Sequence, residues 1–317
     1  MESSRERLIK ALRHQQPEKI PLDMGSTPVS GIAAGALYEL RKALKLQDKL
    51  VKVHEPFQIL GMVEEDIMNA LKIDIIGLWG RTNFFGLTWD ILKLIGNNKL
   101  LTWVYDKPDA IHKLMSFLRD IKIEQFKWME NERLLELNTD NQFAGAGRYG
   151  YVSDLPQPDY NGLVRTKDLW GWAESQETGP PIISPAMFSE FFLPYISDLS
   201  KMFGLIYYGC CEALHDRWEA IIKKIPNIRS VSVSGWSDFK KMGGMLGKNY
   251  VYSRKPIPTY ISGKTPNWNL LKKDLEMTIE AASECNLEFI FRDIYTIDGD
   301  RQRLKEWVDM ARSALNS

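Results

Sequence analysis

Four residues that could bind a metal or act as nucleophiles lie close together in the sequence: Cys210, Cys211, Glu212 and His215. They follow a short apolar run at 204–206 that is typical of a buried strand, and the segment 214–225 after them is typical of a helix. In α/β enzymes, metals and reactive thiolates occur where a strand ends and a helix follows. The sequence therefore predicts a functional site in this segment.

Two chemistries are open to this segment. Zinc accepts sulfur, nitrogen and oxygen ligands, so Cys210 or Cys211 could hold it together with Glu212 or His215 and a carboxylate from another strand. A thiolate near the positive end of a helix could instead act as a nucleophile. The spacing matches no standard zinc motif. The alternative is that the cysteines are small buried apolar residues and that His215 bonds a backbone carbonyl.

The elements that must position these residues are predicted to be strands alternating with amphipathic helices. Several strands are apolar on both faces, as parallel strands covered by helices are. Eight strands in this arrangement predict an α/β protein with a single (β/α)8 TIM barrel over residues 1–317, and an open doubly wound sheet is the alternative. The predicted strands are 19–25, 73–79, 134–138, 168–174, 205–210, 228–234, 250–255 and 288–293.

A long stretch with little periodicity, 139–167, follows the third predicted strand and is rich in Asp, Asn, Gly and Pro. A connection of this length in a compact domain is usually a lid or a binding loop. The alternative is a disordered surface insertion.

Residues at the carboxyl ends of barrel strands face the active site. Carboxylates there could serve as general acid, base or metal ligand, and an arginine could hold a substrate carboxylate through two hydrogen bonds. Each of two residues also has a non-catalytic alternative. Glu177 could be a solvated loop charge, and Arg254 could form a salt bridge at the barrel mouth with Asp293 or a neighbouring carboxylate. The predicted catalytic residues are Glu174, Glu177, Arg254 and Asp293, and the predicted substrate-binding residues are Asp23, Asn141, Gln176, Trp236 and Ser253.

Composition and charge argue against several classes of protein. Lys and Arg number 41, as do Asp and Glu, and no basic stripe stands out, so a nucleic-acid partner is not expected. No apolar run approaches the roughly 20 residues of a membrane span, and the charged first residues lack a signal-peptide core. Three cysteines in 317 residues fit a reducing cytoplasm. No glycine-rich phosphate loop or Gly-x-Ser-x-Gly motif is present.

Two parts of the sequence resemble uroporphyrinogen decarboxylase-like (URO-D-like) proteins. The first comprises RERL at 5–8 and PEKIPLDMG at 17–25, and the second is ISPAMFSEFFLPY at 183–195. The resemblance implies a URO-D-like TIM barrel. This superfamily contains uroporphyrinogen decarboxylases, which need no cofactor. It also contains zinc-dependent methyltransferases that move methyl groups between thiol, methoxy or methylamine substrates and corrinoid proteins.

The chain departs from both branches of the superfamily. Residues 26–31 contain no arginine, although the decarboxylases carry an arginine-rich signature there. The methyltransferases carry a His-x-Cys zinc motif after the fifth strand, where this chain has Tyr208, Gly209 and Cys210. A further family cysteine would fall near Asp293. Zinc would therefore need substitute ligands, for which the candidates are Cys211, Glu212, Glu177 and Asp293.

The resemblance implies a cytoplasmic methyltransferase rather than a decarboxylase. Zinc held by Cys210 or Cys211 and by carboxylates would activate a small methoxy, methylamine or thiol substrate. The methyl group would pass to or from a corrinoid on a partner protein, and a homodimer is compatible with the sequence. One alternative is a decarboxylase of uroporphyrinogen or a related carboxylated substrate, with Arg254 holding a carboxylate. The other is a non-catalytic URO-D-like binding protein.

Overall fold

The computed structural model describes residues 2–26, 29–55, 59–75, 84–131, 133, 135–175, 178 and 183–315, without the side chains of His54 and Glu55. Two predicted site residues, Gln176 and Glu177, lie outside this part of the chain. The helices are α1 Ser4–Leu12, α2 Ala34–Ala43, α3 Glu65–Leu71, α4 Leu87–Ile95, α5 Asn97–Asp106, α6 Pro108–Asn131, α7 Pro185–Phe191, α8 Leu193–Ser200, α9 Trp218–Lys224, α10 Phe239–Leu246, α11 Trp268–Ala281 and α12 Arg303–Leu315. None of these described helices has both the length and the apolar composition needed to cross a membrane.

Seven strands form one parallel sheet in the order β1-β12-β11-β10-β9-β8-β5, and the others form two small sheets. Ile75 extends the large sheet by a parallel bridge to Asp23. The edges at Ile75 and β5 are separated in sequence by residues 76–83, outside the described ranges, so closure of the barrel stays a prediction. The strands are β1 Leu22–Met24, β2 Ile32–Ala33, β3 Val53–Glu55, β4 Leu60–Gly61, β5 Phe84–Phe85, β6 Phe143–Gly145, β7 Arg148–Tyr149, β8 Trp170–Ala173, β9 Leu205–Tyr208, β10 Ile228–Val233, β11 Val251–Arg254 and β12 Asn286–Phe291.

The strand predicted at 134–138 is not formed among its described residues, 135–138. Instead, β5 occupies the edge beside β8, with Phe84 opposite Trp172. Asn138 supplies the physical reason. Its side-chain amide donates to the Trp170 carbonyl (3.0 Å) and accepts from the Trp170 N–H (2.9 Å), so it replaces a strand's backbone at this edge. The predictions for β1 and for β8 to β12 are confirmed, and that for 73–79 is represented by the bridge at Ile75.

Side chains of the large sheet alternate between two faces, and both faces are buried along most of its strands. On β9, Ile206 and Tyr208 pack into the core beneath the helices. Tyr207, between them, packs on the opposite, inner face together with Trp170 and Val251. This alternation decides which polar residues can reach a site inside the sheet.

Part of the segment 139–167 folds into the hairpin β6–β7 against the inner face, so this part is neither a lid nor a disordered surface insertion. The ring of Phe143 contacts that of Trp172 edge-on, with centroids 5.5 Å apart. A Cβ on Gly145 would lie 2.8 Å from Cβ of Tyr207, so only glycine permits this approach. The hairpin therefore fills space inside the sheet.

Helix α1 covers the amino-terminal end of the strands. Ser3 and Glu6 form a capping box at its start. Beyond its end, the Asn286 side-chain amide pairs with His14 Nδ1 at 3.0 Å, and Arg229 donates to the Leu12 carbonyl at 3.0 Å. Asn286 and Arg229 lie at or near the starts of β12 and β10, so this end of the sheet is covered.

Helices α10 and α11 are in close contact at Gly243, where an added Cβ would overlap the backbone carbonyl of Ala281. Gly243→Ala is therefore expected to lower the free energy of unfolding by about 1–3 kcal/mol, measured by urea denaturation. The matched control is Gly244→Ala, at the exposed neighbouring residue in the same helical turn. No atom lies within 4 Å of a Cβ at this position. Replacing this helical glycine by alanine is therefore expected to raise the free energy of unfolding by up to about 1 kcal/mol. Equal effects of the two changes would contradict the close helix contact.

Candidate functional site

A cavity of about 240 Å³ opens at the carboxyl ends of β9 to β12, opposite the end that α1 covers. Parallel α/β enzymes bind ligands at this end of their sheet. The cavity's lining includes two cations, a carboxylate and a thiol. These four residues are Lys255, Arg292, Asp293 and Cys211.

The two adjacent cysteines follow a turn at the end of β9. Gly209, with φ +91°, makes this turn in the left-handed region that glycine adopts without steric cost. The Sγ atoms of Cys210 and Cys211 then lie 3.6 Å apart. Cys210 is buried, whereas Cys211 is partly exposed and contributes to the cavity wall. Only Cys211 is therefore open to a ligand in the cavity.

Arg292 and Cys210 stabilise the thiolate form of Cys211. The Arg292 guanidinium donates to Cys211 Sγ at 2.8 Å and also forms an ion pair with Asp293. The hydrogen bond with Cys210, followed by the charge of Arg292, lowers the pKa of Cys211 to about 6, against the opposing effect of burial. The same cysteine–cysteine hydrogen bond, with burial, raises the pKa of Cys210. At neutral pH the cavity thus presents one thiolate, backed by one thiol.

Glu212 holds the backbone around the cysteines. One carboxylate oxygen accepts from the N–H of Ser175 at 2.9 Å and from its hydroxyl at 3.2 Å. The other accepts from the N–H of Cys210 at 2.9 Å. Since Glu212 is buried and both oxygens are engaged, its role in this structure is to join the loops after β8 and β9.

His215, the fourth residue predicted to bind metal, does not line the cavity. Its Nδ1 accepts from the N–H of Asp238 at 3.2 Å, and its Nε2 lies 3.5 Å from Asp216. It borders a separate groove beside α10 and α11, where Phe239 also lies. The sequence placed His215 near the cysteines, but the chain carries it past the cavity toward α10.

The described residues do not assemble a zinc site. They contain no group of three or more His, Cys, Asp and Glu side chains arranged to hold a metal ion. Zinc in proteins takes at least three protein ligands, and the site found here offers the two thiols. Of the other candidates, Asp293 is ion-paired with Arg292, Glu212 is engaged elsewhere and His215 lies outside the cavity. Any further ligand would have to come from outside the described ranges, where Glu177 is the predicted candidate.

Arg254 faces away from the cavity, contrary to its predicted role as a clamp for substrate. On β11 the side chains alternate, so Ser253 and Lys255 point inward and Arg254 points toward the helices. Its guanidinium donates to Asp274 Oδ1 at 2.5 Å and to Thr278 Oγ1 at 3.1 Å, both on α11. Arg254 is therefore part of a buried ion pair of the core, and its carboxylate partner is Asp274 rather than one at the mouth.

Lys255 and Arg292 are the site residues that the sequence analysis missed. The Lys255 ammonium is buried and donates to Tyr207 Oη (2.7 Å) and to the hydroxyl of Ser232. Within the described part of the chain no carboxylate lies within ion-pair distance of it. The rule that strand ends form the site could have identified both cations, since they directly follow β11 and β12.

The remaining predicted residues are spread around the inner face and the mouth. Asp23 is the middle residue of β1, and burial raises its pKa to about 8. Glu174 is buried just beyond β8, where its charge helps raise the pKa of Cys210. Ser253 lies deeper and bonds Tyr207 Oη at 2.9 Å. Asn141 is half-buried before β6, away from the residues that line the cavity, whereas Trp236, which is 75% exposed, borders it.

The pKa of Cys211 predicts how its alkylation by iodoacetamide depends on pH. Its folded-state pKa lies below the ordinary thiol value, so the reactive thiolate is present above about pH 6 and is lost as the pH falls through that value. Cys285, whose pKa is raised by burial, is expected to react only at higher pH or after unfolding. Peptide mass spectrometry can follow the two sites separately. A midpoint for Cys211 near the ordinary value of about 8.5 would contradict the assignment.

Comparison with known proteins gives a likeness of fold. Neither the models of known protein families nor the curated proteins contain a match to this sequence. Among solved structures, a methyltransferase from Methanosarcina mazei is similar over 100% of both chains, with a TM-score of 0.55 and 11% sequence identity. The chain thus has the same overall fold as that methyltransferase, and the central parallel sheet fits this likeness.

Proposed function

We propose that this chain is a methyltransferase that works at the cavity at the carboxyl ends of β9 to β12. The observation that carries the proposal is the Cys211 thiolate paired with Arg292 in the wall of that cavity. The likeness of fold to a methyltransferase supports the reaction class. The described lining encloses about 240 Å³, below the roughly 300–1,000 Å³ of pockets for drug-sized ligands, which favours a small substrate.

The proposed acceptor is a small thiol, and Cys211 acts as its general base. The substrate S–H gives its proton to the Cys211 thiolate, which Arg292 holds in place. The resulting substrate thiolate attacks the methyl carbon of the donor. A sulfur–carbon bond forms, and the bond between the methyl group and the donor breaks with its electron pair remaining on the donor. Proton transfer by a positioned side chain typically accelerates a reaction about 10²–10⁴-fold.

Two finer elements come from the resemblance to URO-D-like proteins, namely zinc and a corrinoid carried by a partner protein. Zinc would lower the pKa of a substrate thiol, but the described residues do not fit it, and the proposed reaction contains no zinc step. A corrinoid protein as methyl donor remains part of the proposal, with the methylated corrinoid as a substrate.

The reaction is tested anaerobically with methylcobalamin as donor and 2-mercaptoethanol as acceptor. Cob(I)alamin absorbance and mass detection of the methyl thioether should both report transfer above the rate without protein. If thioether forms no faster with protein over a panel of small thiols, the proposed acceptor class is wrong.

The reaction is expected to be independent of metal. Purified, reduced protein should hold well below one zinc per chain, with the same content in a C210S/C211S variant, and EDTA should not change the rate of methyl transfer. Zinc near one per chain that disappears in the double variant, together with inhibition by EDTA, would instead establish a zinc site completed by residues such as Glu177.

A decarboxylase of a small carboxylated substrate is the second candidate. Lys255 favours it, because this buried ammonium borders the cavity and has no carboxylate partner among the described residues. A substrate carboxylate could fill that role. Release of CO₂ from uroporphyrinogen or smaller carboxylated pyrroles, without added cofactor, would select this function over methyl transfer.

A further inference from the structure

The two sulfur atoms at the end of β9 are arranged for a second kind of chemistry. Cys210 and Cys211 lie 3.6 Å apart at Sγ, while the remaining cysteine, Cys285, is buried elsewhere and bonds the Gly243 carbonyl. We propose that Cys210 and Cys211 form a redox-active dithiol that reduces hydroperoxides and becomes a disulfide between adjacent residues. This inference does not depend on methyl transfer.

The different surroundings of the two sulfur atoms give them different roles in this reaction. Cys211 is the partly exposed one, borders the cavity and accepts a hydrogen bond from Arg292, so it is the sulfur that a small oxidant meets as a stabilised thiolate. Cys210 is buried behind it. The Cys210 backbone is fixed by Glu212, which accepts from its N–H at 2.9 Å, and by Ser232, which donates to its carbonyl at 2.5 Å. The resolving sulfur is therefore held beside the attacking one.

The reaction with hydrogen peroxide balances in two steps. Cys211 sulfur attacks one peroxide oxygen, the S–O bond forms, the O–O bond breaks, and the departing hydroxide takes up a proton to leave as water. Cys210 sulfur then attacks the resulting sulfenic sulfur, the S–S bond forms, and the hydroxyl group leaves as water with the Cys210 proton. Two thiols are oxidised by two electrons, and one peroxide is reduced to two water molecules.

The local backbone allows closure of this ring but favours its reopening. Both cysteines lie outside helices and strands, so Cys211 can move toward the fixed Cys210 as the sulfurs approach. Adjacent Cα atoms are about 3.8 Å apart across a trans peptide, below the roughly 4.4–6.8 Å usual for disulfides. Such a bond is readily reduced, and the dithiol should be regenerated by dithiothreitol.

The experiment counts thiols in the full-length protein after hydrogen peroxide, quenching and denaturation. The wild type is expected to fall from three thiols to one, to lose the mass of two hydrogen atoms, and to yield a peptide with Cys210 joined to Cys211. Dithiothreitol should restore all three thiols. C285S should still form the disulfide, which shows that Cys285 takes no part.

Single variants separate the two roles. C210S should accumulate a Cys211 sulfenic acid that dimedone traps, and C211S should keep both of its remaining thiols at the same peroxide dose. Three results would overturn the proposal: a wild type that keeps three thiols, a wild type that accumulates the dimedone adduct, or a disulfide that joins two chains. None of these readouts involves a methyl donor, so failure here and failure of the proposed function are distinguishable.

Discussion

Cys211→Ser is expected to lower the rate of methyl transfer to a thiol by at least about a hundredfold, the smallest effect typical of losing a general base. Serine keeps the shape of the residue but cannot be a thiolate, so the sulfur that takes the proton of the substrate thiol in the proposed reaction is lost. The measurement is the initial rate of thioether formation at saturating methylcobalamin and pH 7.5. KM for the thiol should change little, because the lost group acts on the reacting proton.

Two further variants test whether the effect belongs to the pair formed by Cys211 and Arg292. Cys285→Ser removes a buried thiol outside the cavity and should leave the rate unchanged. Arg292→Met removes the cation that helps keep the pKa of Cys211 low. The midpoint of the rise of the rate with pH should therefore lie at a higher pH than in the wild type. A C211S protein with the wild-type rate would remove Cys211 from the mechanism.

Asp274→Ala is expected to lower the free energy of unfolding by about 3–5 kcal/mol, measured by urea denaturation. The change deletes the carboxylate partner of Arg254, whose guanidinium is fully buried between β11 and α11. A buried charge without its partner is far more costly than the intact pair.

The matched control is Glu276→Ala, on the same helix α11. Glu276 is exposed and lies 3.7 Å from Lys272, so Glu276→Ala should cost about 0–1 kcal/mol. Replacing both members of the buried pair, as in R254M/D274L, should recover much of the loss, because no charge is then left unpaired. A loss below about 1 kcal/mol for D274A would show that the pair is not shielded from water.

The parts of the fold that could be predicted from the sequence are those with a local signal. A continuous apolar run bounded by turns identifies β9, because a strand buried on both faces has that composition. The segment 134–138 is also rich in apolar residues, yet Asn138 uses its side chain where a strand would use its backbone. Nothing in the local pattern distinguishes these two uses. The same limit explains why the hairpin β6–β7 within 139–167 was missed.

The position of the candidate site could be predicted from the sequence, but not all of the residues that form it. The rule for strand ends places Cys211 and Asp293 at the mouth, where both line the cavity. The rule fails for Arg254, because successive side chains of a strand point to opposite faces of the sheet. Arg254 points toward the helices, and the next residue, Lys255, points to the inner face. The prediction for His215 is wrong for another reason. The chain turns toward α9 after the cysteines and places His215 beside Asp238, outside the cavity.

The pairing of β1 with β12, in which Leu22 lies opposite Phe289, sets the order in which this protein can fold during synthesis. The ribosome delivers β1 early, but its hydrogen-bonding partner follows only after almost every other strand has emerged. Until then β1 and β11 both have open edges, and such edges recruit other chains. Completion of the sheet is therefore a late, non-local and slow event. A fragment that ends before Asn286 would leave both of these edges unpaired, so a larger share of it than of the longer chain is expected in inclusion bodies.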